Sequence, residues 1–123
     1  MSKHIRVLIV DDNRDFTCIL QDCLNACHDI EIVGVAESGT QAYRMVKDSQ
    51  PDVLLLDIVM PAMDGFEVLK QLSNTANKMA IFVMSALGND SIVRDALSLG
   101  AHAYFQKPLD INAVISRIHS SAL

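Results

Sequence analysis

Several short apolar runs in this 123-residue chain each lead into a residue able to do chemistry. Residues 5–10 are followed by Asp11-Asp12, residues 53–56 by Asp57, residues 80–84 by Ser85, and residues 103–105 by Gln106 and then Lys107-Pro108. Three carboxylates brought together repel one another unless a cation joins them. An all-oxygen donor set suits Mg2+, which keeps several waters and leaves room for a phosphate oxygen. Asp57, at the end of an unbroken aliphatic run, suits a carboxylate nucleophile forming an aspartyl phosphate. Lys107 offers a second positive charge to phosphoryl oxygens, and Ser85 a hydroxyl donor. Taken singly, each residue has a plainer reading. Asp11, Asp12 and Asn13 could cap a helix, Asp57 could stand in a turn and Ser85 at a helix entry. Lys107 could be a surface charge and Tyr104 an ordinary half-buried aromatic. Their joint arrangement, each behind a different apolar run, favours a shared site.

The hydropathy pattern supplies elements that would assemble it. Residues 5–10 read as a strand and residues 14–27 as a helix, with Phe16, Ile19, Leu20, Cys23, Leu24 and Cys27 forming its apolar stripe. The cysteines Cys18, Cys23 and Cys27 look like small core hydrophobes on that helix, and a metal or redox reading is disfavoured because the 18-to-23 spacing splays two of them around it. Residues 30–36 form a second strand, and Ser38-Gly39 opens a helix to about residue 48. Pro51-Asp52 breaks it, and residues 53–56, lacking polar alternation, read as a strand buried on both faces. A turn-rich loop at 60–65 leads to a helix carrying Phe66, Leu69 and Leu72. Residues 80–84 are a fourth strand, 90–99 a helix ended by Gly100, and 103–105 a fifth strand. Asp110 starts a last helix with Ile111, Val114, Ile115 and Ile118 on one face. This alternation predicts an α/β fold of one domain over residues 1–123, a three-layer doubly wound sheet of five parallel strands. In such sheets ligands bind outside the carboxyl ends of the strands, where the candidate residues fall.

Half of the residues are hydrophobic and a fifth charged, a globular composition long enough to bury a core. A formal charge of −5 without a Lys/Arg cluster argues against direct duplex binding, which needs several cations on phosphates. The N-terminus turns acidic too soon for a signal peptide, and the longest aliphatic run is far below a membrane span. Three cysteines without a C-x-x-C pair fit reduced thiols, so a cytoplasmic protein with no membrane partner is expected. His4, His28, His102 and His119 are scattered without ligand spacing and receive no role.

Asp11-Asp12, Leu56-Asp57-Ile58-Val59-Met60-Pro61 with Met63-Asp64-Gly65, Ser85-Ala86, Gly100-Ala101 and Lys107-Pro108 together carry a resemblance. Over essentially its full length the chain resembles the receiver family of two-component signalling. The resemblance implies a flavodoxin-like sheet in the strand order 2-1-3-4-5. It implies phosphorylation of Asp57 by a histidine kinase or histidine phosphotransferase, supported by Lys107 and Ser85. It implies Mg2+ held by Asp12, Asp57 and the Val59 backbone carbonyl, with Asp11 acting mainly through metal-bound water. A cis peptide before Pro108, aiming Lys107 inward, is implied too. So is a switch in which Ser85 moves to the phosphoryl oxygen and Tyr104 swings inward, reported by the fourth helix, fifth strand and fifth helix. Position 85 holds Ser where the family more often has Thr, which keeps the hydroxyl. Val59 and Leu87 stand where receivers tune phosphoryl lifetime, and neither side chain can orient a hydrolytic water. A long-lived phospho-form is expected.

Among receivers, residues 7–14, 29–36 and 51–65 are most similar to the one preceding the DNA-binding domain of the sporulation master regulator of spore-forming Gram-positive bacteria. That likeness implies the N-terminal part of a transcription regulator, in which a phosphorylation-dependent homodimer frees a DNA-binding domain outside this chain. The main rival is a stand-alone receiver passing phosphate to a histidine protein. An aspartyl-nucleophile phosphatase or phosphotransferase needs a second Asp two residues past the nucleophile; Val59 stands there, and no turnover enzyme is expected. A flavin or nucleotide module would need a glycine-rich first loop, whereas Asp-Asp-Asn repels phosphate without a metal. A degenerate receiver used only for oligomerisation sits poorly with an intact acid triad beside Ser85 and Lys107.

Overall fold

Successive side chains along a strand point to opposite faces of its sheet, and the aliphatic runs of this chain fill both. The computed structural model describes residues 4–60, 63–75 and 78–121. Its elements are β1 (Ile5–Val10), α1 (Arg14–Asn25), β2 (Ile30–Ala36), α2 (Gly39–Ser49), β3 (Val53–Asp57), β4 (Val59–Met60), β5 (Met63–Asp64), α3 (Gly65–Ser73), β6 (Ala80–Ser85), α4 (Asp90–Ser98), β7 (Ala103–Gln106) and α5 (Ile111–Ser121).

Five strands form one parallel sheet in the order β2-β1-β3-β6-β7. The expected order 2-1-3-4-5 is thereby corrected to 2-1-3-6-7. The difference comes from β4 and β5, a two-stranded antiparallel ladder outside the main sheet that pairs Val59 with Asp64 and Met60 with Met63. Residues 60–65, read as a turn-rich loop, thus hold part of this one short ladder and the first residue of α3, and Pro61 and Ala62 lie outside the described residues.

The pleat sorts the core into two layers. Leu8, Val10, Leu54, Leu56, Ile81 and Val83 pack with Ala42 and Val46 of α2, Val68, Leu69 and Leu72 of α3, and Ala96 of α4. Val7, Ile9, Val53, Leu55, Phe82 and Met84 pack with Leu20 and Leu24 of α1 and Val114 and Ile118 of α5. Helices thus cover both faces, which gives the three-layer, doubly wound, flavodoxin-like architecture. Phe82, fully buried on β6, meets Phe105 of β7 edge to face at 5.9 Å between centroids. Phe82→Ala is expected to lower unfolding stability by about 3–5 kcal/mol, the range for emptying a core aromatic site. A urea midpoint close to the wild type would contradict it.

Helix starts follow local chemistry. Asn13, Ser38, Asp64 and Asn89 cap α1, α2, α3 and α4, each side chain accepting an N–H of the first turn. Gly100 follows α4 at φ 117, a left-handed conformation that favours glycine. One packing expectation fails. The buried positions of α1 are Thr17, Leu20 and Leu24, so Ile19 and Cys18 turn outward and are exposed, while Cys23 and Cys27 are half-buried. One helical residue turns about 100°, enough to take Cys18 off the face that Thr17 buries.

Candidate functional site

The same pleat that fills the core aims the carboxylates. Asp11 continues the series Val7, Ile9, and Asp57 the series Val53, Leu55, both on the face covered by α1 and α5. Because β1 and β3 are neighbours with Val10 opposite Leu56, the two aspartates end side by side. The capping question at Asp11-Asp12-Asn13 is resolved by a division of labour. The Asn13 side chain accepts the Phe16 N–H at 3.1 Å and caps α1. Asp11 Oδ1 accepts the Asn13 N–H at 2.9 Å, which leaves Oδ2 free to face the site. Asp12 is exposed at the rim.

Asp11, Asp12 and Asp57 each present a carboxylate oxygen within 4.8 Å of the others. Lys107 Nζ donates to Asp11 Oδ2 at 2.7 Å and to Asp57 Oδ2 at 3.1 Å. Asp57 Oδ1 accepts the Val59 N–H at 2.8 Å. The Lys107–Pro108 peptide is cis, as the resemblance implies. Burial pushes the Asp57 carboxyl up; the Val59 N–H and Lys107 pull it back, Asp11 adds repulsion, and the net is upward. For Lys107 burial acts to lower the pKa, but hydrogen bonds and charge from Asp11 and Asp57 outweigh it and raise the ammonium above the ordinary lysine range. Three carboxylates with one ammonium leave a formal surplus of two negative charges. That surplus, an all-oxygen donor set and Asp12 open to solvent fit a hard divalent cation that retains waters.

The remaining sequence candidates sit around this cluster in different ways. Ser85 is fully buried; its hydroxyl oxygen accepts the Leu87 N–H at 2.9 Å, and among the described residues it makes no hydrogen bond to Asp57 or Lys107. Its carbonyl accepts the Lys107 N–H at 2.8 Å, which ties the ends of β6 and β7 together beside the cluster. Tyr104 is half-buried on the opposite layer from the aspartates, and its hydroxyl donates to the Leu87 carbonyl. Leu87 therefore joins Ser85 and Tyr104 through its own backbone, a connection no sequence spacing announces. Val59 and Leu87 expose 49% and 48% of their surface and give the site an apolar rim. Phe16, read only as part of an apolar stripe, also stands over Lys107 with its ring centroid 4.0 Å from Nζ. No spacing in the sequence announces that contact, which joins residues far apart in the chain.

Residues 7–119 match the family described as response regulator receiver domain. The chain belongs to that family. Its receiver fold superposes on the signal receiver domain of the response regulator NarL from Mycobacterium tuberculosis with a TM-score of 0.90 and 28% identity, covering 98% of this chain and 97% of that one. It matches the signal receiver domain of a DNA-binding response regulator from Colwellia psychrerythraea with a TM-score of 0.88 and 26% identity, over 96% and 98% of the two chains. A chain of the CheX–CheY–BeF3–Mg2+ complex from Borrelia burgdorferi gives a TM-score of 0.87 and 31% identity, over 97% and 90%. Receiver domains bind Mg2+ at an acidic pocket, and in this receiver the Asp11, Asp12 and Asp57 cluster has that character. Among the described residues no helix of the receiver is long and apolar enough to cross a membrane.

Proposed function

We propose that this receiver is a cytoplasmic phosphorylation switch in which Asp57 takes a phosphoryl group from a phosphohistidine of a histidine kinase or histidine phosphotransferase. A carboxylate oxygen of Asp57 attacks phosphorus, the P–N bond breaks, and the imidazole leaves with the bond's electron pair. Asp11, Asp12, Asp57 and the Val59 carbonyl would hold Mg2+, which supplies charge neutralisation at the phosphoryl oxygens. Lys107, already within 3.1 Å of Asp57, follows the new negative charge. Ser85 releases the Leu87 N–H to donate its hydroxyl to the phosphoryl group, and Tyr104 exchanges its bond to the Leu87 carbonyl for an inward position. The change is a population shift between two packings, biased by charge at one site. The observation that carries this reading is the Lys107 ammonium bridging two buried aspartates at adjoining strand ends. No acid/base carboxylate stands at position 59, so the chain acts as an acceptor rather than a turnover enzyme.

The test is intact mass after incubation with acetyl phosphate, with Mg2+ and with a chelator. One acid-stable, base-labile phosphoryl adduct that needs Mg2+ is expected; no adduct under any donor or metal condition would leave an interaction-only role. Mg2+ at about a hundred times its Kd should also raise unfolding stability by about 2.7 kcal/mol. The apolar rim predicts slow loss of the adduct. Val59→Asn, which can orient a water, is expected to speed hydrolysis by about tenfold, the effect of one added hydrogen bond in the transition state. An unchanged hydrolysis rate would remove the rim from the account.

The output we infer is a DNA-binding domain outside this chain, released by a phosphorylation-dependent homodimer; the likeness to the receiver of a DNA-binding response regulator from Colwellia psychrerythraea favours the DNA-binding output. A sporulation-type role rests on residues 7–14, 29–36 and 51–65 alone, and the comparisons lend it no support. If the full-length gene encodes no DNA-binding domain after this segment, a stand-alone receiver returning phosphate to a histidine protein takes its place.

A further inference from the structure

The Lys107 ammonium has three protons and two carboxylate acceptors, Asp11 Oδ2 and Asp57 Oδ2. Another of its sides faces an aromatic ring, that of Phe16, whose centroid lies 4.0 Å from Nζ. The ring is placed by the start of α1, because the Phe16 N–H is the one the Asn13 cap accepts. The helix that follows anchors it against the layer containing Leu20, Val114 and Ile118. An aliphatic side chain would satisfy that packing. Only an aromatic face adds an electrostatic attraction for a cation.

We propose that Phe16 is a positioning residue for Lys107, its ring holding the ammonium against the Asp11–Asp57 pair. The proposal rests on the reading of Asp57 as phosphoacceptor and adds to it an account of how the ammonium is in place before a phosphoryl group arrives. A lysine ammonium is a strongly hydrated charge on a flexible four-carbon stem, and carboxylates on one side alone leave it an easy path to water. The ring covers another side, and the Lys107 side chain retains only 19% of its exposure. The interaction depends on the ring's face, so Phe16→Tyr preserves it and Phe16→Leu removes it while keeping an apolar side chain in the layer.

Two measurements test this. With acetyl phosphate and Mg2+, Phe16→Leu is expected to slow adduct formation by roughly two- to tenfold, the span of a cation–π contact of this kind. Phe16→Tyr is expected to recover most of that loss. In chelator, the shift in urea midpoint caused by Phe16→Leu should shrink when Lys107→Met is already present, since the partner is gone. If Lys107→Met does not fold, the upfield ring-current shift of the Lys107 Cε protons replaces the cycle, present in wild type and Phe16→Tyr and lost in Phe16→Leu. Equal phosphorylation rates for the Leu and Tyr variants overturn the proposal. So does a Phe16→Leu midpoint shift indifferent to Lys107, or a ring-current shift absent from the wild type. A wild type that forms no adduct at all instead overturns the phosphoacceptor reading, while the metal-free measurement still decides the Phe16–Lys107 contact.

Discussion

Asp57→Asn is expected to give no phosphoryl adduct under conditions that phosphorylate the wild type, and to be the more stable protein once metal is chelated. The amide keeps the size of the side chain and an oxygen to accept the Val59 N–H, but it is no nucleophile for an acyl phosphate. Its effect on stability follows from the carboxyl it replaces. Burial raises the Asp57 pKa, the Val59 N–H and Lys107 offset this only in part, and the Asp11 charge adds to it. Between the ordinary carboxylate value and the raised one, the folded protein binds more protons at this site than the unfolded chain. Stability from this group therefore falls as pH rises through that window and stays lower above it. The amide does not titrate, so the variant's advantage should grow across the window and then level off. Urea unfolding in chelator from about pH 4 to about pH 7 reads this directly, spanning the carboxylate range. An adduct that survives the substitution would move the acceptor elsewhere. A variant less stable than the wild type at neutral pH would mean that the Lys107–Asp57 attraction outweighs burial.

Gly65→Ala is expected to lose about 4–5 kcal/mol of stability or more, the exceptional end for a single substitution and close to the whole stability of a small domain. A Cβ at Gly65 would lie 2.1 Å from the Ile58 carbonyl oxygen, 2.3 Å from its Cα and 2.5 Å from its carbonyl carbon. All three are backbone atoms, so no rotamer change relieves the overlap. Ile58 directly follows Asp57, and the start of α3 presses on the segment that carries the acceptor. Any variant that folds must part the start of α3 from Ile58, and a shift of residues 57–59 would disturb the Val59 N–H that holds Asp57 Oδ1. Far-UV circular dichroism with urea titration gives the stability, and the acetyl phosphate reaction gives the site. A Gly65→Ala protein with wild-type stability and adduct yield would show that α3 can back away from Ile58 at little cost.

These expectations differ in how much of their basis was legible in the chain itself. The doubly wound sheet was, because residues 53–56 and 80–84 are apolar without alternation, and only a sheet covered on both faces buries such runs. Counting residues along β1 and β3 also sends Asp11 and Asp57 to one face, since the pleat has a period of two. The β4–β5 ladder was not legible: two-residue strands leave no periodicity to read. The outward turn of Cys18 and Ile19 was missed because sulfur and aliphatic side chains fit an apolar stripe equally well on either side of α1.

Residue type and spacing by themselves thus determined the fold class, the acidic cluster and its lysine, because buried apolar runs must pair as parallel strands and their ends then fall along one edge of the sheet. Tertiary packing alone decided the contacts that couple distant segments. The Leu87 backbone joins Ser85 to Tyr104, Gly65 meets Ile58, and the Phe16 ring lies over Lys107. Phe16 and Lys107 are far apart in the chain, and their approach depends on how α1 packs beside the end of β7. Local sequence pattern specifies elements and their faces; a distance of 4.0 Å between two of them is set only when every layer of the core has packed.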